Sequence, residues 1–180
     1  MINLEPLPVV HNPAEIARWL YSVYRVLTQK VSDILRIDLN SHGNSSGSGD
    51  TNLASYSYPS GSLYADNQSL TVEAFGTYAA NGNSKRLRVN FSATNVFDTG
   101  AVTVSGGSWK IVINIYRTAS SAQRYISTYL SSNGSPGQLV TYGTATIDLT
   151  SGTAITFVGN GVDASDVIQE GMVVKWHPAV

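Results

Sequence analysis

Apolar and polar side chains alternate along most of the chain beyond residue 52, and the alternation is cleanest between residues 70 and 91. Leu70, Val72, Ala74 and Gly76 alternate with Thr71, Glu73, Phe75 and Thr77, and Leu87, Val89 and Phe91 alternate with Arg86, Arg88 and Asn90. A period of two puts each set on its own face of a β-strand. Asn81-Gly82 between the two runs is a strong hairpin signal, because both central residues of a type I′ turn take positive φ. Residues 70–91 therefore read as a β-hairpin with Gly76 opposite Leu87, Ala74 opposite Val89 and Val72 opposite Phe91. Both apolar rows then share one face, and a register one residue off would mix the faces.

The same alternation, broken by Gly-, Asn- and Pro-containing turns, predicts strands at 53–58, 70–79, 85–91, 96–97, 101–104, 109–117, 123–130, 139–149, 154–158 and 167–176. Many strands with short connections and no fixed repeat predict a mainly β chain, an antiparallel β-sandwich of jelly-roll type. An amphipathic α-helix is expected ahead of it.

That helix begins at Asn12-Pro13-Ala14-Glu15, which offers an N-cap, a proline at the first helical position and a glutamate able to reach back. It is expected to run to about Arg36. Ile16, Leu20, Val23, Leu27, Ile34 and Ile37 follow a heptad-like series, with Val31 beside Lys30 at the interruption and Trp19 widening the apolar surface. Ahead of it, Pro6 and Pro8 favour an extended apolar arm. The helix can pack on its own β-domain, or gather into a trimeric bundle or dock on a larger assembly. The following segment NSHGNSSGSGDTN offers no core residue and reads as a Gly/Ser linker, which favours the second arrangement. The expected organisation is an arm and anchoring helix at 1–39, a linker at 40–52 and a β-sandwich domain at 53–180.

Composition narrows the function classes. Net charge is -1 with 13% charged residues, and no basic stripe offers a nucleic-acid partner. No apolar run approaches the ~20 residues of a membrane span, and the N-terminus lacks the pattern of a secretory signal. The absence of Cys removes disulfides and thiolate chemistry and is compatible with synthesis in a reducing cytoplasm. His11, His42 and His177 have no spacing partners, so no metal site, cofactor or catalytic residue is expected. Asp163 and Asp166 can bind a cation or act as paired carboxylates, but Asp in such a loop more often makes turn hydrogen bonds. Among the tyrosines, Tyr56, Tyr58, Tyr64, Tyr78, Tyr116, Tyr125, Tyr129 and Tyr142 fall in the β-region. Exposed tyrosine suits glycan and protein recognition, while sheet filling is the commoner use.

Residues 69–118, in SLTVEAFGTYAANGNSKRLRVNF, VFDTG and GSWKIVINIYRT, resemble a β-domain of small virion structural proteins of tailed bacteriophages. The arm, helix and linker resemble the attachment segments of such proteins more loosely. The resemblance implies a non-enzymatic virion component made in the host cytoplasm, commonly a homotrimer, held to other virion proteins through residues 1–37. Fibre-like and capsid cement or decoration roles both fit. A host-glycan-binding module is the expectation from another class. Ile16, Trp19, Leu20, Val23, Leu27, Val31 and Ile34 are the expected anchoring or oligomer positions. Glu73, Phe75, Arg86 and Arg88, on the polar face of the hairpin, are the expected subunit-contact face.

Overall fold

The computed structural model describes residues 33–47, 49–60, 63–133 and 137–179. The chain divides between Val31 and Ser32, and all described residues belong to the second part. The described residues form twelve strands and no helix. In chain order these are β1 (Asp33–Asp38), β2 (His42–Gly43), β3 (Thr51–Tyr58), β4 (Ser69–Tyr78), β5 (Ser84–Phe91) and β6 (Thr94–Asp98), followed by β7 (Val102–Thr103), β8 (Ser108–Ala119), β9 (Ala122–Ser131), β10 (Gln138–Ala145), β11 (Thr153–Gly161) and β12 (Val167–His177).

The strands make two antiparallel sheets. The larger, of seven strands, runs β1-β12-β4-β8-β9-β10, with β2 also on β12; the smaller, of five, runs β3-β11-β5-β6, with β7 also on β5. Each β4, β8 and β9 buries alternate residues, and the buried rows of both sheets join one core. Leu70, Val72, Ala74, Ile111, Ile113 and Ile115 enter it from the larger sheet, and Leu87, Val89, Phe91, Ile155 and Phe157 from the smaller. Polar and aromatic contacts cross between the layers. Phe97 stacks on Tyr129 with ring centroids 5.3 Å apart, and Ser127 Oγ donates to the Val96 carbonyl at 2.8 Å.

All ten predicted strands recur, although the one expected at 139–149 ends at Ala145 and the one expected at 154–158 runs on to Gly161; the predicted hairpin does not recur. β4 pairs with β12 and β8, whereas β5 pairs with β11, β6 and β7. Val72 and Phe91 are both fully buried, yet they enter the core from opposite sheets. Alternation cannot separate these cases, because a strand needs only one buried face and does not record which neighbour supplies its backbone hydrogen bonds. The turn chemistry also differs from the expectation. Neither Asn81 nor Gly82 has positive φ, so there is no type I′ turn. Instead Asn81 Oδ1 accepts from the Asn83 N–H at 3.1 Å, and the connection arches from one sheet to the other.

Two further boundaries shift. Residues 33–36, expected at the end of the helix, lie in β1, and Ile34 is a strand residue facing Lys175 of β12. Pairing with the open edge of β12 satisfies this segment's backbone and overrides its helical pattern. The sheets also begin before the segment read as a linker. That segment contains β2, which pairs with Ile168 and Gln169, and a fully buried Asn44. His177, expected in a tail, ends β12 and hydrogen-bonds Thr71 Oγ1 at 2.9 Å. The rest of the arm and helix, with Ile16, Trp19, Leu20, Val23, Leu27, Val31 and His11, lies outside the described residues.

Gly76 occupies an inward position of β4 where the chain beside it bulges between Gln169 and Gly171. A Cβ there would lie 1.9 Å from the Ile168 carbonyl oxygen and 2.6 Å from the Trp109 ring, so the site admits no side chain. Overpacking of this kind costs about 1–3 kcal/mol or more. Gly76→Ala is therefore expected to lower the urea midpoint of unfolding by at least that equivalent, and an unchanged midpoint would show that the close approach is not made.

Candidate functional site

The two ends of the larger sheet differ in chemistry. At one end the β4–β5 arch, the β11–β12 turn and the Asn44 loop meet in a polar cluster. Lys85 takes an inward position of β5 and is only 1% exposed. Its ammonium donates to Asn81 Oδ1 at 2.7 Å and to the carbonyls of Val104 at 2.8 Å and of Asn81 and Asn83 at 3.2 Å. Asp166, fully buried, accepts from Asn81 Nδ2 at 2.7 Å, Asn83 Nδ2 at 3.0 Å and the Asp163 N–H at 2.8 Å. Asn44 Oδ1 accepts from the Val167 N–H at 2.7 Å, and its Nδ2 donates to the Asp163 carbonyl at 2.9 Å. These are the turn hydrogen bonds weighed against cation binding for Asp163 and Asp166. Among the described residues no group of three or more His, Cys, Asp or Glu side chains could hold a metal ion.

Burial opposes the Asp166 charge, but the amide donors of Asn81, Asp163 and Asn83 and the nearby Lys85 charge outweigh it and hold the carboxyl below the usual Asp range. Its folded-state pKa is thus lower than its unfolded one. The stability it contributes is complete above the unfolded value and is lost as pH falls through the folded value.

At the opposite end, the outer face carries exposed tyrosines. Tyr116 of β8 stands opposite Arg124 of β9, which stands opposite Thr144 of β10; Tyr142 of β10 stands opposite Ile126. Tyr116, Arg124, Tyr125, Ile126 and Tyr142, with Asn67, Arg117 and Thr118, line a depression of about 430 Å³. Tyr142 is 65% exposed and Tyr116 44%. Gly143 leaves room for the Tyr125 ring, since a Cβ there would lie 2.3 Å from the phenol oxygen. A second depression of about 320 Å³ shares Arg117 and carries the exposed Tyr64. The first volume lies within the range of small-molecule sites. Tyr58, Tyr78, Tyr125 and Tyr129 are instead buried. Tyr78 and Tyr129 share a hydrogen bond of 2.9 Å, and burial raises both phenols above their ordinary range, so they serve the core.

The expected contact face is divided. Glu73 and Phe75 lie in the larger sheet and Arg86 and Arg88 in the smaller, all in the outward phase, so the two pairs point away from the core on opposite layers. Their charges are matched locally. Lys110 Nζ lies 2.6 Å from Glu73, Arg86 Nε donates to Asp98 at 2.8 Å, and Arg88 pairs with Asp50. Lys85 and Arg124 were not singled out from the sequence. A lysine in phase with Leu87, Val89 and Phe91 is a readable sign of a buried polar cluster, and an arginine in the outward phase of a tyrosine-bearing strand marks a surface.

Neither a protein-family model nor a curated protein matches the chain. Among solved structures it is similar to the CBM2 module of the evolved Dit of Lactobacillus casei BL23 phage J-1. That match has 11% sequence identity and a TM-score of 0.32, and covers 70% of this chain and 69% of the other. Those values are too low to carry a fold or an activity across.

Stability is expected to fall as pH drops below about 4, the unfolded Asp value. Asp166→Asn should be less stable at neutral pH, where the charge-assisted hydrogen bonds it removes contribute about 1.5–3 kcal/mol each. It should also lose less stability than the wild type over the acidic range. Denaturant unfolding at a series of pH values checks both, and parallel pH profiles for the two proteins would contradict the assignment.

Proposed function

We propose that this chain is a non-enzymatic structural protein of a tailed-bacteriophage virion. Residues 1–31 attach it to other virion proteins, its copies associate as a homotrimer, and the sandwich faces outward. The segment that resembles virion β-domains, residues 69–118, supplies the interior strands β4 and β8 of the larger sheet and β5, β6 and β7 of the smaller. The chain passes between the sheets at β3-β4-β5 and again at β10-β11-β12, and we read this as a jelly roll extended by β9 and β10.

The observation that carries the assembly reading is the outer face of the larger sheet. Ile34, Ile37, Phe75, Leu130 and Val140 are all exposed large apolar side chains in its strands. The Phe75 ring lies over Gly171 of β12, where a Cβ would come within 2.6 Å of the ring and 3.2 Å of Leu39. Scattered apolar residues are ordinary on a surface, but a face bearing this many fits a contact between proteins. A fibre-like component on tail, neck or head uses such a face, and so does a cement or decoration protein clasping capsomers. A second reading, recognition of a host glycan, is favoured by the tyrosine-lined depressions.

Two outcomes follow. A chain that starts at Ser32, and so keeps β1, is expected to retain the unfolding transition of the sandwich and to be absent from particles assembled in its presence; undiminished incorporation would overturn attachment through residues 1–31. Light scattering on the intact chain is expected to give a trimer mass, and Phe75→Asp with Leu130→Asp to reduce it. A monomer mass for the intact chain would remove the oligomer from the reading.

A further inference from the structure

We infer that the depression at Tyr116, Arg124 and Tyr142 binds an acidic saccharide, with the sugar carboxylate on the Arg124 guanidinium and a sugar face against tyrosine. The inference rests on the glycan-binding reading and names the ligand class for it.

Arg124 is the exception among the described arginines. Arg36 pairs with Asp38, Arg86 with Asp98, Arg88 with Asp50 and Arg117 with Asp66. The Arg124 side chain makes no ion pair or hydrogen bond with the described residues, whereas each of the other four is neutralised by a neighbouring carboxylate. Its cross-strand neighbours are Tyr116 and Thr144, neither of them charged. A guanidinium left without a carboxylate beside two exposed tyrosines presents five donors in a planar fork, which suits a carboxylate bidentately.

The surroundings favour a sugar acid over a simple anion. Tyr116 and Tyr142 offer flat apolar rings with polar tips, the combination that suits a sugar's alternating apolar and hydroxyl faces. Asn67, at the rim, adds amide hydrogen-bonding capacity, and its backbone is held by a 2.9 Å bond to the Arg117 carbonyl. Arg117 is not available for the ligand charge, because Asp66 and the Leu63 carbonyl already engage it. The depression sits on β8, β9 and β10, whose ladders run unbroken from Trp109 to Arg117 and from Gln138 to Ala145 and fix the spacing of Tyr116, Arg124 and Tyr142 before any ligand arrives.

The test is calorimetric titration of the full chain with oligogalacturonate, with its neutral methyl ester, with sialyllactose and with lactose. Binding of at least one acidic sugar is expected, with an affinity about tenfold or more above its neutral counterpart, as a charge-assisted hydrogen bond contributes. Arg124→Gln is expected to erase that preference, Tyr142→Ala to weaken both members of the pair, and Arg86→Gln on the other sheet to leave them unchanged. Equal binding of acidic and neutral sugars that Arg124→Gln does not alter would overturn the inference and leave the glycan reading standing. Binding of none of the four would overturn both. Inorganic phosphate that displaces the acidic sugar at equal concentration would reduce the site to one for simple anions, and would overturn the inference as well.

Discussion

The ammonium of Lys85 is the constraint from which the sheet arrangement follows. It is buried at an inward position of β5, and a charge there is tolerable only where hydrogen bonds replace its water. Four acceptors do so, three of them within the Asn81–Asn83 arch and one at Val104. The arch is thereby fixed to the start of β5 and to the segment leading to β8. Asn81 carries the connection on through its amide to Asp166, which caps the entry of β12, and Asn44 bonds the next residue, Val167. Three connections that pass between or border the two sheets thus end in one hydrogen-bonded cluster. Each member positions the next, and double-mutant cycles are the way to apportion the energy of such a network.

This cluster explains what could be read from the sequence and what could not. The strands were legible because burial of one face imposes a period of two, and Trp109, Ile111, Ile113 and Ile115 or Met172, Val174 and Trp176 display it without interruption. Pairing was not legible at residues 70–91. Asn81-Gly82 signals a tight turn from its local preference, but here the Asn81 side chain is engaged by Lys85 and Asp166, the latter distant in sequence. Long-range partners decided the turn, and a local rule cannot contain them. The helix pattern of residues 33–36 failed for the same reason, since the edge of β12 lies far along the chain. Of the candidate site, the tyrosines were visible as a class. Which of them are exposed depends on register: Tyr116 and Tyr142 fall in the outward phase, and Tyr125 and Tyr129 in the inward one.

The two ends of the sandwich divide the work. The polar cluster fixes the loops at one end with buried, fully engaged groups, leaving little there for a ligand to gain. At the other end β8, β9 and β10 run past the depression as a simple meander, and their outward side chains are free to vary without disturbing the core. Between them the outer face of the larger sheet presents Phe75 and Leu130, near the cluster end, about six residues or 20 Å along the strands from Tyr116 and Arg124. The part of that face at Phe75 and Leu130 is therefore set apart from the tyrosine-lined depression, whereas Val140 lies two residues from Tyr142 in the same phase of β10.

The claim that one network organises the connections is tested most directly by a double-mutant cycle on Lys85 and Asp166, using Lys85→Met, Asp166→Asn and the combination, read as unfolding free energies. The two side chains share Asn81, so each substitution should free the amide that the other holds. A coupling energy well above the ~0.5 kcal/mol scatter of independent sites is expected. Strictly additive losses would mean that the arch and the β11–β12 turn are held separately, and the account would fail at its first step.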